Sequence, residues 1–452
     1  MNRPRGRQPR RQARSNADAP AAIGQRIEVT LERLTHDGRG IGRWQGRTVF
    51  VEGALPGEQV QARVVRARSK LIEARQEQIL QASAERQPPR CRHAELCGGC
   101  SLQHMPHAQQ LEIKQQALAQ QLQHFAGVQP AQWTSALQGP AYGYRQRTRV
   151  SVRWDGRRQA LEVGFRQRAS NDLVAVQECP VLVPVLQPVI AELPALLRSL
   201  ASARDLGHVE LIGTEQPALV VRHLGTLDAA DQQQLAGFAA HHGLALWLQP
   251  GDESSLHCVS GDNSEPSYSL VDQQLRLSFS PGDFTQVNAE INQAMVNQAL
   301  DWLALQPGEQ VLDLFCGIGN FALAMARLGA QVTGIEGSEA MVLRAQHNAR
   351  INGLEALHFF SADLSKPLEL PADSPSYTAA LLDPPRDGAE QLVADLAALG
   401  IERILYISCN PATLARDAGI LATKGYGLVR AGVMDMFPQT SHVEAMALFR
   451  KH

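Results

Sequence analysis

Five short, largely apolar runs in the last third of the chain restrict the fold more than any other feature, because each stops on or beside a polar residue. They cover 310–314, 332–336, 358–363, 379–383 and 404–408. Runs this short, separated by stretches of helical length, predict a doubly wound parallel sheet over 282–452, an α/β fold with helices on both faces. Ligands of such sheets lie beyond the carboxyl ends of the strands. Glu336, Asp363, Asp383 and Cys409 all fall at those ends.

The loop after the first run reads Gly317-Ile-Gly-Asn-Phe-Ala322. It fits the loose glycine pattern shared by dinucleotide and S-adenosylmethionine sites. Gly317 and Gly319 let the backbone approach a ligand, and Glu336 is placed to hold ribose hydroxyls. Asp313, just before the glycines, suits a cationic methionine moiety, and Asp363 suits an adenine amino group. Together these acids favour S-adenosylmethionine over a dinucleotide. Asp383-Pro-Pro-Arg386 adds a rigid polar ledge facing the cofactor. In 404–413 a strand gives way to a tight turn and a helix start, with Cys409 on the turn and Pro411 at the first helical position. A thiol held there can attack a bound substrate, although most intracellular thiols are simply buried.

The chain has 452 residues and a formal charge of −2, so length suggests about three domains and the global charge names no partner. Its distribution says more. Arg3, Arg5, Arg7, Arg10, Arg11 and Arg14 lie in a tail over 1–22, expected to be disordered and able to track phosphates. Over 23–82, short alternating runs punctuated by glycines predict a small β-barrel. Arg33, Arg39, Arg43, Arg47, Arg63, Arg66, Arg68 and Lys70 give it a basic face. Its order resembles a TRAM domain, an OB-like RNA-binding module. Residues 83–281 read as a mixed α/β middle domain. There Cys91, Cys97 and Cys100 fall within ten residues, with Gly98 and Gly99 between the last pair, and Cys179 offers a fourth sulfur. Four thiolates suit zinc or an iron–sulfur cluster, and spacing favours neither.

With no secretory leader and no apolar run of membrane length, the clustered cysteines point to metal or catalysis in a cytoplasmic protein. Residues 111–125 read as a packing helix. In 142–154, Arg145, Arg147 and Arg149 share one face of a strand, and Tyr144 and Trp154 add stacking surfaces, a combination suited to single-stranded RNA.

Five motifs in order carry a specific resemblance: Phe284-Thr-Gln-Val-Asn288, Asp313-Leu-Phe-Cys-Gly-Ile-Gly-Asn-Phe321, Asp383-Pro-Pro-Arg386, Ser408-Cys-Asn-Pro411 and Pro438-Gln-Thr-Ser-His-Val-Glu444. The chain resembles the RNA uracil-C5-methyltransferase family over nearly its whole length, and within it the members that act on 23S ribosomal RNA. The resemblance implies a [4Fe-4S] cluster on Cys91, Cys97, Cys100 and Cys179, expected to order the RNA-binding surface. It implies Cys409 as nucleophile and Glu444 as general base. It places Gln286, Phe315, Asn320, Glu336, Asp363 and Asp383 on the S-adenosylmethionine side. The partner implied is 23S rRNA, with no obligate protein partner. The competing readings are action on tRNA or another rRNA uridine, a non-catalytic RNA-binding iron–sulfur protein, and a dinucleotide-dependent oxidoreductase. The related tRNA enzymes generally lack both the barrel and the cluster, so both features favour rRNA.

Overall fold

The computed structural model describes residues 22–452 apart from 36, 262–264 and 355–356. The arginine-rich run before residue 22 lies outside the described residues. The chain divides into two compact units, one reaching to Gln87 and including His104–Pro106, the other holding Pro88–Gln103 and His107–His452.

In the first unit, β1 (Arg26–Leu34), β2 (Gly40–Trp44), β3 (Arg47–Glu52), β4 (Gln59–Ala67) and β5 (Leu71–Gln81) close a barrel in the order β1-β2-β3-β5-β4. The period-2 pattern explains it: Ile27, Val29 and Leu31, then Val60, Ala62 and Val64, point inward while their neighbours face out. Gly42 must be glycine, because a Cβ there would sit 2.3 Å from the Thr30 carbonyl oxygen. Arg33, Arg43, Arg63, Arg66, Arg68 and Lys70 are exposed on this barrel. Inside the unit, the fully buried Glu58 pairs with Arg86 at 2.6 Å and accepts from the Leu55 amide at 2.8 Å.

The second unit opens with α1 (His107–Gln121) and β6 (Gln132–Trp133). Then β7 (Arg147–Asp155), β8 (Ala160–Arg166), β9 (Leu173–Val174), β10 (Leu206–Ile212), β11 (Ala218–His223), β12 (Ala245–Gln249) and β13 (His257–Ser260) form a sheet in the order β13-β12-β11-β10-β7-β8-β9. Two helices, α2 (Gln187–Ser199) and α3 (Ala229–His241), share its core through Val189, Leu193, Leu197 and Leu235. A hairpin, β14 (Ser267–Leu270) with β15 (Leu275–Ser278), leads to α4 (Ala289–Leu303).

The expected α/β sheet follows. Its parallel strands are β16 (Gln310–Leu314), β17 (Gln331–Glu336), β18 (Leu357–Ser361), β19 (Ala379–Leu382) and β20 (Arg403–Ser408). Helices α5 (Ala322–Arg327), α6 (Glu339–Ile351), α7 (Glu390–Leu399) and α8 (Pro411–Thr423) connect them and lead on. Two further strands, β21 (Tyr426–Met434) and β22 (Glu444–Lys451), complete the order β18-β17-β16-β19-β20-β22-β21-β6. β22 alone runs against its neighbours, pairing antiparallel with both β20 and β21. Strands buried on both faces need unbroken apolar sequence, and Ala379–Leu382 and Ile404–Ser408 are buried throughout. From β16 the chain steps outward one way to β18, then crosses back to β19. That reversal opens a crevice at the carboxyl ends of β16 and β19.

Candidate active site

A cavity of about 1250 Å³ lies in the second unit, and its wall gathers residues from distant parts of the sequence. It is lined by Gln286, Phe315, Asn320, Glu336, Asp383, Cys409 and Glu444, and also by Cys91, Cys97, Cys100 and Cys179. Of the nucleophile, base, cofactor-side and cysteine-centre residues that the resemblance assigned, all but one therefore share one cleft. The exception is Asp363. It is exposed just past β18, where it accepts from the Ser365 hydroxyl at 2.6 Å and pairs with Lys366 at 3.2 Å.

Strand pairing explains how Cys409 and Glu444 come to the same end of the sheet. Ser408 pairs with Ala445 across β20 and β22, so the next step of the antiparallel register sets Cys409 opposite Glu444. Because β22 runs backwards, its first residue lies at the edge where the parallel strands finish. Asn410 then caps α8, its side chain accepting from the Ala412 amide at 3.1 Å, with Pro411 in the first turn. Asn410 Nδ2 also donates to the Arg386 carbonyl at 2.9 Å, tying the cysteine turn to the Asp383–Arg386 ledge.

The cleft is acidic and partly dry. Burial, with Asp383 nearby, raises the Glu444 carboxyl to about 8, against opposing fields from Arg386 and Lys114. Burial alone raises Asp383 to about 7. Burial, then Glu444 and Asp383, push the Cys409 thiol up, and Arg386 opposes them. Asp313 is fully buried on β16, and neither carboxylate oxygen completes a hydrogen bond. Burial lifts it well above the carboxylate range, with Asp383 and Glu336 adding to the effect and the Ala322 amide only partly offsetting it. A wall of carboxyls that resist ionisation in isolation is complementary to a bound cation.

The glycine loop is shaped for close approach. Gly317 and Gly319 have φ of 56° and 95°. A Cβ on Gly319 would lie 2.3 Å from Leu323 Cδ1. Phe315 holds a φ of 61°, a left-handed conformation that a bulky side chain rarely adopts and that often marks a functional turn. Glu336 accepts from the Gly317 amide at 3.1 Å and the Ser338 amide at 3.1 Å, which fixes the carboxylate beside the loop. The Asn320 side chain exchanges hydrogen bonds with Asn292 and accepts from the Tyr268 hydroxyl at 2.9 Å.

The four cysteines are free and half-buried. The Gly99 amide approaches Cys97 Sγ at 3.4 Å, so the glycine turn aims a backbone donor at a sulfur. Burial raises Cys100 to about 11 and Cys179 to about 12, with charge on the companion sulfurs adding to each. The cysteine loop is bonded to the segment before Glu444. The amides of Ser101 and Leu102 donate to the Gln439 carbonyl at 2.9 and 3.0 Å, and the Ser441 amide donates to Ser101 Oγ at 3.1 Å.

Two expectations are corrected. Tyr144 is no stacking surface: it is 6% exposed and donates to the Pro438 carbonyl at 3.0 Å. Nor do the three arginines form one free basic face. Arg147 pairs with Glu210 at 2.6 Å, whereas Arg149 is exposed and lines the cavity. The helix read as mere packing holds two buried polar residues, Gln110 and Lys114, that reach the segment before Glu444. Their signal was a Gln and a Lys on the inward face of α1, which apolar periodicity passes over.

Residues 106–452 match the sequence profile of the tRNA (uracil-5-)-methyltransferases, and residues 20–75 match that of the TRAM domain. The chain is 52% identical over 440 residues to a 23S rRNA (uracil(1939)-C(5))-methyltransferase RlmD of Pseudomonas aeruginosa, covering 97% of each chain. It is 51% identical over 438 residues to the protein of that name from Pseudomonas putida, covering 97% of this chain and 96% of the relative. Among solved structures it is similar in fold to the Pyrococcus abyssi tRNA (uracil-54, C5)-methyltransferase in complex with S-adenosyl-L-homocysteine, with a TM-score of 0.71 and 23% identity over 94% of this chain and 100% of that one. The chain belongs to the tRNA (uracil-5-)-methyltransferase family.

Proposed function

We propose that this protein methylates C5 of a uridine in 23S rRNA, at the position that its relatives' names number 1939. The observation that carries the chemistry is the register that sets Cys409 opposite Glu444 at the mouth of an acidic cleft. S-adenosylmethionine, as second substrate, supplies the methyl group: its S–CH3 bond breaks as C5–CH3 forms, and the electron pair stays on sulfur. Uracil C5 is too poor a nucleophile to take that methyl unaided. The Cys409 thiolate adds to C6, the C5=C6 π pair becomes an enolate, and C5 becomes nucleophilic. After transfer, Glu444 removes the C5 proton, the C5–H pair re-forms the double bond, and the thiolate leaves. A carboxyl raised to about 8 is well matched to that proton transfer near neutral pH. The fused cleft suits a base swung out of its stack, with Arg149 and Arg386 on the wall to meet phosphate or the uracil carbonyls.

Gln286, Phe315, Asn320, Glu336 and Asp383 would face S-adenosylmethionine, and Asp363, just past β18, would meet the adenine. Cys91, Cys97, Cys100 and Cys179 fit an iron–sulfur cluster as a donor set. Such a centre, held by four thiolates, would brace the cysteine loop without entering the methyl transfer. Methyl-labelled S-adenosylmethionine and unmodified 23S rRNA provide the test. Label on uracil C5 with wild type but not with Cys409→Ala supports the reading, and transfer by both proteins refutes Cys409 as the nucleophile.

A further inference from the structure

The wall behind Glu444 is built around a lysine that the mechanism above does not use. Lys114, on α1, is 1% exposed, and its Nζ donates to Asp435 Oδ1 at 2.6 Å and to the Phe437 carbonyl at 3.2 Å. Asp435 is fully buried, and its other oxygen lies 2.6 Å from His107 Nε2. This is no remote ion pair. Asp435 directly follows Met434, the residue paired with Glu444 across β21 and β22. The ammonium thus sits where the strand carrying the base begins, and its hydrogen bonds hold both ends of the Asp435–Phe437 turn.

We infer that Lys114 is a positioning residue for Glu444: it anchors the turn beside the base and supplies the buried positive charge that keeps the base ionisable. This rests on the reading of Glu444 as the proton acceptor. Two physical points support it. Burying an ammonium is costly, and one carboxylate with one carbonyl offsets that cost without explaining why a charge is kept in a core. The groups facing Glu444 otherwise tilt it towards neutrality. Asp383, beyond β19, opposes ionisation, and Cys409, beyond β20, would do the same as a thiolate. Among the described residues, Arg386 and Lys114 favour the carboxylate, and Arg386 is exposed whereas Lys114 is not screened by water. His442 follows from the β22 side, and burial, Arg386 and Lys114 hold its pKa down, so it adds little positive charge near neutral pH.

The test reads the last step alone. Once the thiolate has added and the methyl has moved, decay of the SDS-stable RNA–enzyme adduct depends on the base and no longer on the ionisation of Cys409. Adduct decay should be followed in single turnover from pH 6.5 to 10 for wild type, Lys114→Met, and Lys114→Met with Asp435→Asn. The double variant removes both buried charges together, so it stays informative if the single one does not fold. The expected result is an acid limb displaced upward by about one pH unit, slowing decay at pH 7 about tenfold and leaving it near wild type at pH 10. Equal slowing at every pH, or no change, overturns the proposal. A Glu444→Gln control that decays at the wild-type rate, or a wild type that forms no adduct and transfers no methyl, overturns the underlying reading and the proposal with it.

Discussion

Replacing Glu444 with glutamine keeps the side chain's volume and removes only its ability to accept a proton. Thiolate addition and methyl transfer precede the proton's departure, so both should survive. Elimination should not. General-base catalysis contributes about 10²- to 10⁴-fold, so product release should slow by that factor while methylated RNA accumulates as a covalent adduct. The wild-type pH profile gives an independent figure. With a carboxyl at about 8, roughly a tenth of the ligand-free enzyme holds the carboxylate at pH 7 and about nine-tenths at pH 9. Elimination limited by this group should therefore quicken about tenfold between those values. Denaturing gels with labelled RNA and labelled methyl report adduct and product together. Turnover of Glu444→Gln at the wild-type rate would refute the assignment. Loss of adduct as well as product, in a folded protein that binds both substrates, would move Glu444 to an earlier step.

Gly319→Ala should weaken S-adenosylhomocysteine binding in calorimetry and cost about 1–3 kcal/mol of stability, because its φ and the Leu323 contact both disfavour a Cβ. The raised carboxyls of Asp383 and Glu444 make the ligand-free protein less stable as pH climbs. Their contribution is whole below the ordinary carboxyl range near 4 and is lost through 7 to 8, so melting temperature should fall across that window, and less so in Asp383→Asn. In the barrel unit the sign reverses. Burial works to raise Glu58, but hydrogen bonds from Arg86 and Leu55 prevail and lower it, so that stability is present at neutral pH and lost in acid. Arg86→Leu should destabilise the unit by about 3–5 kcal/mol in urea unfolding, by leaving a buried carboxylate alone.

How much was legible from sequence depended on whether the signal was local. The parallel strands could be read because burial on both faces demands apolar runs, and their ends placed Glu336, Asp383 and Cys409 at one edge. The barrel could be read from alternation. Lys114 could not: its partner lies 321 residues away, and a lysine on a helix ordinarily faces water. Tyr144 was misjudged for the same reason, since its hydroxyl is satisfied by a carbonyl 294 residues on. The approach of the cysteine loop to the segment before Glu444 is likewise a long-range fact, carried by the Gln439 carbonyl.

The lone reversed strand has a consequence for insertions and deletions. The span from Asp435 to Val443 can change in length without altering which face of β22 a residue occupies, since the strand's ladder with β20 starts afresh at Ala445. A residue inserted between Glu444 and Phe449 is different. Side chains alternate across the sheet, so that single addition would turn the carboxyl to the opposite surface while leaving most of the ladder intact. Homologues should therefore hold a fixed residue count within this strand.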